Sequence, residues 1–263
     1  MVFLLSTRCL IPLNPGILIN RNFRVVDETR EWVVIDKPPH LKAHPGKPDG
    51  SYTLWDGMRE LFAYEIANGG QISIINRLDR ETSGLTLVCK THDSARHFAM
   101  LMERKLIHKE YLAIIWGWPE RDHYEIDAPL IRQGAHGNST IWLKQAVHPL
   151  GAHARTTVVV EQRFERETTN GRHFSLVRAL PVTGRTHQIR VHLAHIGHPV
   201  VGDKIYGPDE HHYLEFIRTG WSESLSRSLL LPRHALHSAV LKIDDNHAAL
   251  AWCAPLPSDM ADF

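Results

Sequence analysis

From residue 24 onward, apolar positions fall into short β-period runs interrupted by stretches of helical period. Residues 24–27 and 31–35 read as strands, the second halted at Lys37-Pro38-Pro39, where prolines cannot continue a ladder. Over 54–66 the residues Leu54, Met58, Leu61, Phe62 and Ile66 fall on one helical face. Strand, turn and strand follow across 72–89. A second helix spans 92–106 with Phe98, Met102 and Leu106 at spacing four, and another strand covers 110–116.

From 118 to 151 no period is sustained, and the prolines and glycines predict a loop-rich excursion with room for a hairpin. Runs at 156–164 and 173–180 flank Thr169-Asn170-Gly171, a hairpin signal. Residues 186–196 return to helical spacing, with Ile189, Leu193 and Ile196 inward and Gly197 as the stop. The stretch 208–232 is ambiguous, with a short helix around 211–217, and strands at 236–243 and 248–253 close the pattern. Residues 1–23, carrying Pro12 and Asn14-Pro15-Gly16, read as an irregular leader, 24–256 as one catalytic domain and 257–263 as a short tail. Sequential strands with a few inserted helices predict an α+β fold on a mainly antiparallel sheet.

Composition narrows this little: 43% hydrophobic and 22% charged residues are ordinary for a globular chain. No run approaches the roughly 18 apolar residues of a membrane span. Residues 1–5 lack the pattern of a secretory signal, so the expectation is a soluble, cytoplasmic monomer. Cys9, Cys89 and Cys253 form no C-x-x-C pair, which argues against a disulfide framework or a cysteine zinc site. Net charge is only +1, yet residues 172 to 204 hold five Lys or Arg, five His and one acid, Asp203, a local basic surface suited to phosphates.

Two segments carry candidate chemistry. Asn76-Arg77-Leu78-Asp79-Arg80-Glu81-Thr82-Ser83-Gly84 sets one carboxylate between two arginines, and opposite charge favours an ionised carboxylate able to act as nucleophile or base. The plainer reading is a turn aspartate bonded to nearby backbone. Thr183-Gly184-Arg185-Thr186-His187-Gln188-Ile189-Arg190-Val191-His192 places basic side chains at a helix start, with Thr186 as candidate N-cap and the helix N–H groups open to a phosphate. A solvated basic face is the alternative. His192 and His195 are spaced as metal ligands, but no Glu stands between them as in H-E-x-x-H. Tyr111, in Lys109-Glu110-Tyr111, is either a packed aromatic or a ring that stacks on a base. Signatures for nucleotide triphosphates, dinucleotides and serine hydrolases are missing.

Taken in order, Asp36-Lys37-Pro38 with His44-Pro45-Gly46, the Asp79 segment, Lys109-Glu110-Tyr111, the Arg190 segment, Gly197-His198-Pro199 and Gly202-Asp203 resemble the RluA/RluD-type pseudouridine synthases. That resemblance implies a pseudouridine-synthase core, a mixed, mainly antiparallel sheet with flanking helices and a central cleft. It implies an isomerase that converts uridine in structured RNA, ribosomal first and transfer second, without cofactor or metal.

By resemblance, Asp79 is the essential carboxylate, Tyr111 packs on the base and takes the carbon-5 proton, and Arg190 pairs with the aspartate, with Arg185 the weaker candidate. Arg77 fills the gap left by the flipped nucleotide, Leu78 and Ile189 with Leu85 line the pocket, and Arg185 and His187 contact substrate. Two departures stand out: Asn76 where the family has His, and Pro39-His40 in place of Ala-Gly. About twenty residues precede the core, too few for the N-terminal RNA-binding domain of many relatives. Alternatives are a catalytically silent RNA-binding protein on this scaffold and a histidine-metal enzyme using His192, His195 and His198.

Overall fold

The computed structural model describes residues 11–14, 17–19, 21–46, 50–135, 137, 139–245 and 248–263. The chain divides into two compact units, 1–100 and 101–263.

In the first unit, β1 (Ile11–Asn14) and β2 (Ile17–Ile19) pair as a hairpin inside the stretch expected to be irregular; positions 1–10, including Cys9, lie outside the described residues. β3 (Arg24–Glu28), β4 (Trp32–Lys37) and β6 (Ser83–Cys89) form an antiparallel sheet, with the short β5 (Ser73–Ile74) paired to β6. All of β6 is buried, as are Trp32 to Ile35 of β4, because both strands are near-continuous apolar runs; β3 is the exposed edge. Val33, Ile35 and Val88 pack with Leu54, Met58 and Phe62 of the neighbouring helices, so the helical face read from the sequence meets the sheet.

α1 (Leu54–Leu61) begins at a capping box in which Thr53 and Asp56 bond reciprocally. The single helix expected over 54–66 is broken at Phe62, which stays 3% exposed in the core while α2 (Ala63–Ala67) continues beyond it. α3 (His92–Glu103) stops three residues short of the expected 106, before Lys105 adopts a left-handed backbone. Cys89 is buried; burial foremost, with Glu31 adding to it and a Ser94 hydrogen bond opposing, pushes its thiol up to about 11, so it is a packed and unreactive group.

The second unit is a larger antiparallel sheet. β7 (Ile107–Trp116) lies between β12 (Gly171–Pro181) and β13 (Leu236–Asp245); β11 (Arg155–Thr168) and β8 (His123–Asp127) continue beyond β12, and β14 (Ala248–Cys253) pairs with β13. The β11–β12 hairpin turns at Thr169-Asn170 as its sequence predicts. The excursion after β8 contains the expected hairpin, β9 (Leu130–Arg132) with β10 (Gln145–Val147).

α4 (Gln188–His195) follows β12 and ends in a Schellman arrangement: Gly197 N–H bonds Ala194 carbonyl at 3.0 Å and His198 N–H bonds Leu193 carbonyl at 3.0 Å, with Gly197 at φ 84°. α5 (His211–Thr219) is the helix expected near 211–217. α6 (Glu223–Leu229) was not foreseen, although Ser222 caps it by accepting the Leu225 N–H. The expected tail is instead a docked element: α7 (Ser258–Ala261) buries Met260, and Phe263 meets Phe174 edge to face with centroids 5.1 Å apart. Among the described residues no helix is long and apolar enough to cross a membrane.

Candidate active site

The Asp79 segment joins β5 to β6. Its turn is closed by main chain, the Thr82 N–H donating to the Asp79 carbonyl at 3.2 Å. Asp79 and Arg80 are half-buried, Leu78 is buried and Arg77 is exposed. Two buried side chains hold this turn. Lys37, fully buried, donates to the carbonyls of Pro38 at 2.8 Å, Leu41 at 2.9 Å and Arg80 at 3.2 Å, which ties the Asp79 turn to the proline loop. The β4–β6 register pairs Lys37 with Gly84, setting the ammonium beside the turn it supports.

Asn76 is the second support. Its amide donates to the Leu85 carbonyl at 3.0 Å and accepts the Leu87 N–H at 2.7 Å, so one side chain acts as an added stretch of strand against β6. The departure from the family's His therefore has a structural use: a flat amide with one donor and one acceptor edge. His40, in the other departure, has φ 65°, the left-handed backbone that the family's glycine would adopt without strain.

In the second unit, Tyr111 is 8% exposed on β7, registered between Ala179 of β12 and Ser238 of β13. Lys109 lies two residues before it and so on the same strand face; its Nζ is 3.7 Å from Met102 Sδ, and burial lowers its pKa. Glu110, on the opposite face, accepts from Lys242 at 2.6 Å and Arg178 at 2.7 Å, and these bonds, led by Lys242 and opposed by burial, lower its pKa.

Arg190 is 4% exposed on α4 and makes a two-pronged ion pair with Asp203, Nε to Oδ2 at 2.6 Å and Nη2 to Oδ1 at 2.9 Å. A guanidinium carries five N–H donors, and this pair engages two. Asp203 also accepts the N–H groups of Ile205 and Tyr206, both at 3.0 Å. Burial alone would raise its pKa; Arg190 and the two backbone donors outweigh burial and lower it. The Arg190 guanidinium sits 5.0 Å from the Tyr206 ring centroid, and the Tyr206 hydroxyl meets His187 Nδ1 at 2.8 Å. Asp203 and Tyr206 thus orient the arginine, a role that sequence reasoning did not assign; the Gly202-Asp203 pair was its only trace. Gly202 has φ 78°, and a Cβ there would come within 1.9 Å of the Arg233 carbonyl, so the approach to Asp203 requires glycine.

The loop before α4 differs from expectation. Thr186 is not the cap: His187 is, with φ 56° and no side-chain capping bond. Gln188 organises the loop instead, its Oε1 taking the Arg185 N–H at 3.0 Å and the Thr183 hydroxyl at 2.7 Å, and its amide bonding the Arg155 carbonyl at 2.9 Å. Arg185 is exposed, with Nε on the His153 carbonyl at 2.9 Å, and Ile189 is buried. His192 has both ring nitrogens engaged, by Thr156 Oγ1 at 2.9 Å and the Ala128 carbonyl at 3.0 Å, which is the work of a core histidine rather than a ligand. Among the described residues no group of three or more His, Cys, Asp or Glu could hold a metal ion.

The RNA pseudouridylate synthase family matches residues 31–195. The chain is 34% identical over 253 residues to Ribosomal large subunit pseudouridine synthase D of Haemophilus ducreyi, covering 92% of this chain and 70% of that relative. With the protein of the same name from Nitrosomonas europaea identity is 35% over 241 residues, 90% of this chain but 63% of the relative, so the chain spans less than two thirds of that protein's length. Human RNA Pseudouridylate Synthase Domain Containing 1 superposes with a TM-score of 0.66 at 25% identity, over 89% of this chain and 83% of that one. Human RNA Pseudouridylate Synthase Domain Containing 4 shares the fold with a TM-score of 0.68 at 22% identity, over 90% of each chain. With the ordered motifs, the α+β fold and these relatives in agreement, the chain belongs to the RNA pseudouridylate synthase family.

Proposed function

We propose that this protein converts a uridine of structured RNA to pseudouridine, with ribosomal RNA as the first target class and transfer RNA the second. The observation that carries the reading is the Asp79 turn: a carboxylate in a family motif, on a loop clamped from beneath by Lys37 and Asn76. A reacting group held to one geometry gains from orientation, and such supports are what orientation needs.

In this reading, Asp79 starts cleavage of the glycosidic bond as nucleophile or base. By the family resemblance Arg190, fixed by Asp203, is the aspartate's basic partner, and Tyr111 packs on the detached uracil and takes the carbon-5 proton once the ring has turned and rejoined the ribose. Arg77, exposed on its turn, replaces the stacking lost when the nucleotide flips out, which offsets a cost of a few kcal/mol. Leu78 and Ile189 wall the base, while Arg185 and His187 meet substrate. No cofactor or metal is required, and the setting is cytoplasmic.

The relatives' names, ribosomal large subunit pseudouridine synthase D, favour ribosomal RNA. The test is to incubate the protein with ribosomal and transfer RNA and map pseudouridine. The expected result is a specific product that disappears in Asp79→Ala; no product, or product that survives the substitution, would overturn the reading.

A further inference from the structure

The excursion between β8 and β11 combines a sequence without acids and large apolar side chains left exposed. From Ala128 to Arg155 there is no Asp or Glu, while three Lys or Arg (132, 144, 155) and three His (136, 148, 153) occur. Trp142 is 71% exposed and Leu150 73%. The Arg132 guanidinium lies 4.3 Å from the Trp142 ring centroid, over one face of the indole. Lys144 is paired with Glu210 and Arg155 with Glu125, whereas Arg132 has no carboxylate partner among the described residues.

This surface rests on a firm base. Ile141, beside Trp142, is 1% exposed in a core cluster with Leu130, Val191 and Tyr206. The Tyr206 hydroxyl accepts the Gln145 N–H at 2.8 Å, and Arg185 reaches the His153 carbonyl at 2.9 Å. The exposed pair is therefore built onto the segment that carries Arg185, His187 and Arg190.

We propose that Arg132 and Trp142 form a docking platform for an unpaired nucleotide of the RNA substrate, distinct from the residues that perform the reaction. The inference rests on RNA being the substrate. The open face of the indole stacks a base of any identity, and the guanidinium neutralises a neighbouring phosphate. A protein partner fits less well, because a guanidinium without a carboxylate partner among the described residues, on a segment that carries no Asp or Glu of its own, complements a polyanion first.

The test measures binding of large-subunit ribosomal RNA to the full chain over a range of salt, with pseudouridine formation assayed in parallel. Trp142→Ala is expected to weaken binding about 10-fold while Trp142→Phe keeps most of the affinity, since phenyl still stacks. Arg132→Ala is expected to weaken binding and to lower the slope of log affinity against log salt by about one. Wild-type affinity in Trp142→Ala and Arg132→Ala, or a Trp142→Phe as weak as Trp142→Ala, overturns the platform and leaves the exposed pair to a protein partner. If wild type forms pseudouridine and the variants bind normally, the platform alone fails. If wild type forms none on any RNA but Trp142→Ala still loses affinity, the enzymatic reading fails and the platform stands.

Discussion

Asn76 shows how a single side chain can replace backbone pairing. Replacing it with leucine keeps most of its volume but leaves the buried Leu87 N–H and Leu85 carbonyl without this partner. The expected loss is about 2 kcal/mol, from the 1–3 kcal/mol cost of an unsatisfied buried polar group, read as a lower denaturant midpoint in equilibrium unfolding. Asp203 tests a different property, the aim of Arg190. In Asp203→Asn the neutral amide still accepts backbone N–H groups but no longer holds the guanidinium as an ion pair. The expected outcome is a fall in kcat of about 100-fold, the size associated with misplacing a reacting group, with a smaller change in KM. Equal loss of RNA binding and turnover would instead mark Asp203 as a general structural residue. Neither partnership was legible in the sequence. Asn76 reaches across a turn to a strand 9 and 11 residues on, and Asp203 lies 13 residues beyond Arg190 in a segment without periodicity.

At the level of elements, the continuous apolar runs of β4 and β6 and the Asn-Gly turn of the β11–β12 hairpin announced themselves, because burial on both faces and turn chemistry are local signals. Two kinds of element did not. α6 carries a short signal, Ser222 as cap with Leu225 and Leu229 one turn apart, hidden in a proline-flanked stretch too brief for a period to emerge. α7 is only four residues long, too short for a period to show; what makes it an element is tertiary, the burial of Met260 and the pairing of Asp259 with Arg233 at 2.6 and 2.8 Å. The Arg233 side chain is fully buried, while the Asp259 carboxylate is about a third exposed. Asp259→Ala leaves that guanidinium without its carboxylate and is expected to cost about 3 kcal/mol, the low end for breaking a buried pair. Thermal unfolding should register it as a drop in Tm of several degrees.

Across the whole molecule, buried histidines set the response to acid. His192 and His234 are both held below the usual histidine range by burial first, with Arg190, Lys204, Arg233 and His187 adding repulsion at His234 and the Ala128 carbonyl partly opposing the shift at His192. A depressed histidine pKa means that the unfolded chain takes up protons the folded chain refuses. Stability should thus be level above the unfolded value of about 6.5 and fall as pH drops below it, by about 1–3 kcal/mol over the next unit if both groups contribute. Denaturant titrations at pH 7.5, 6.5 and 5.5 would show this, and His192→Gln should reduce the slope by up to one proton. A stability curve flat down to pH 5.5 would contradict the assignment. Asp203 adds a second loss, confined to more acid conditions, because its pKa is depressed from the carboxylate range.

Lys37 has a consequence for motion. Its ammonium joins the Asp79 turn to the proline loop through three carbonyls, so the turn cannot swing away alone; it must carry the ends of β4 and β6 with it. Local opening should then be rare and cooperative rather than a fast flicker. In hydrogen exchange the Thr82 amide, although it lies in a loop, should exchange with the slow amides of the two strands, and Lys37→Met should release it to the rate of an ordinary surface turn.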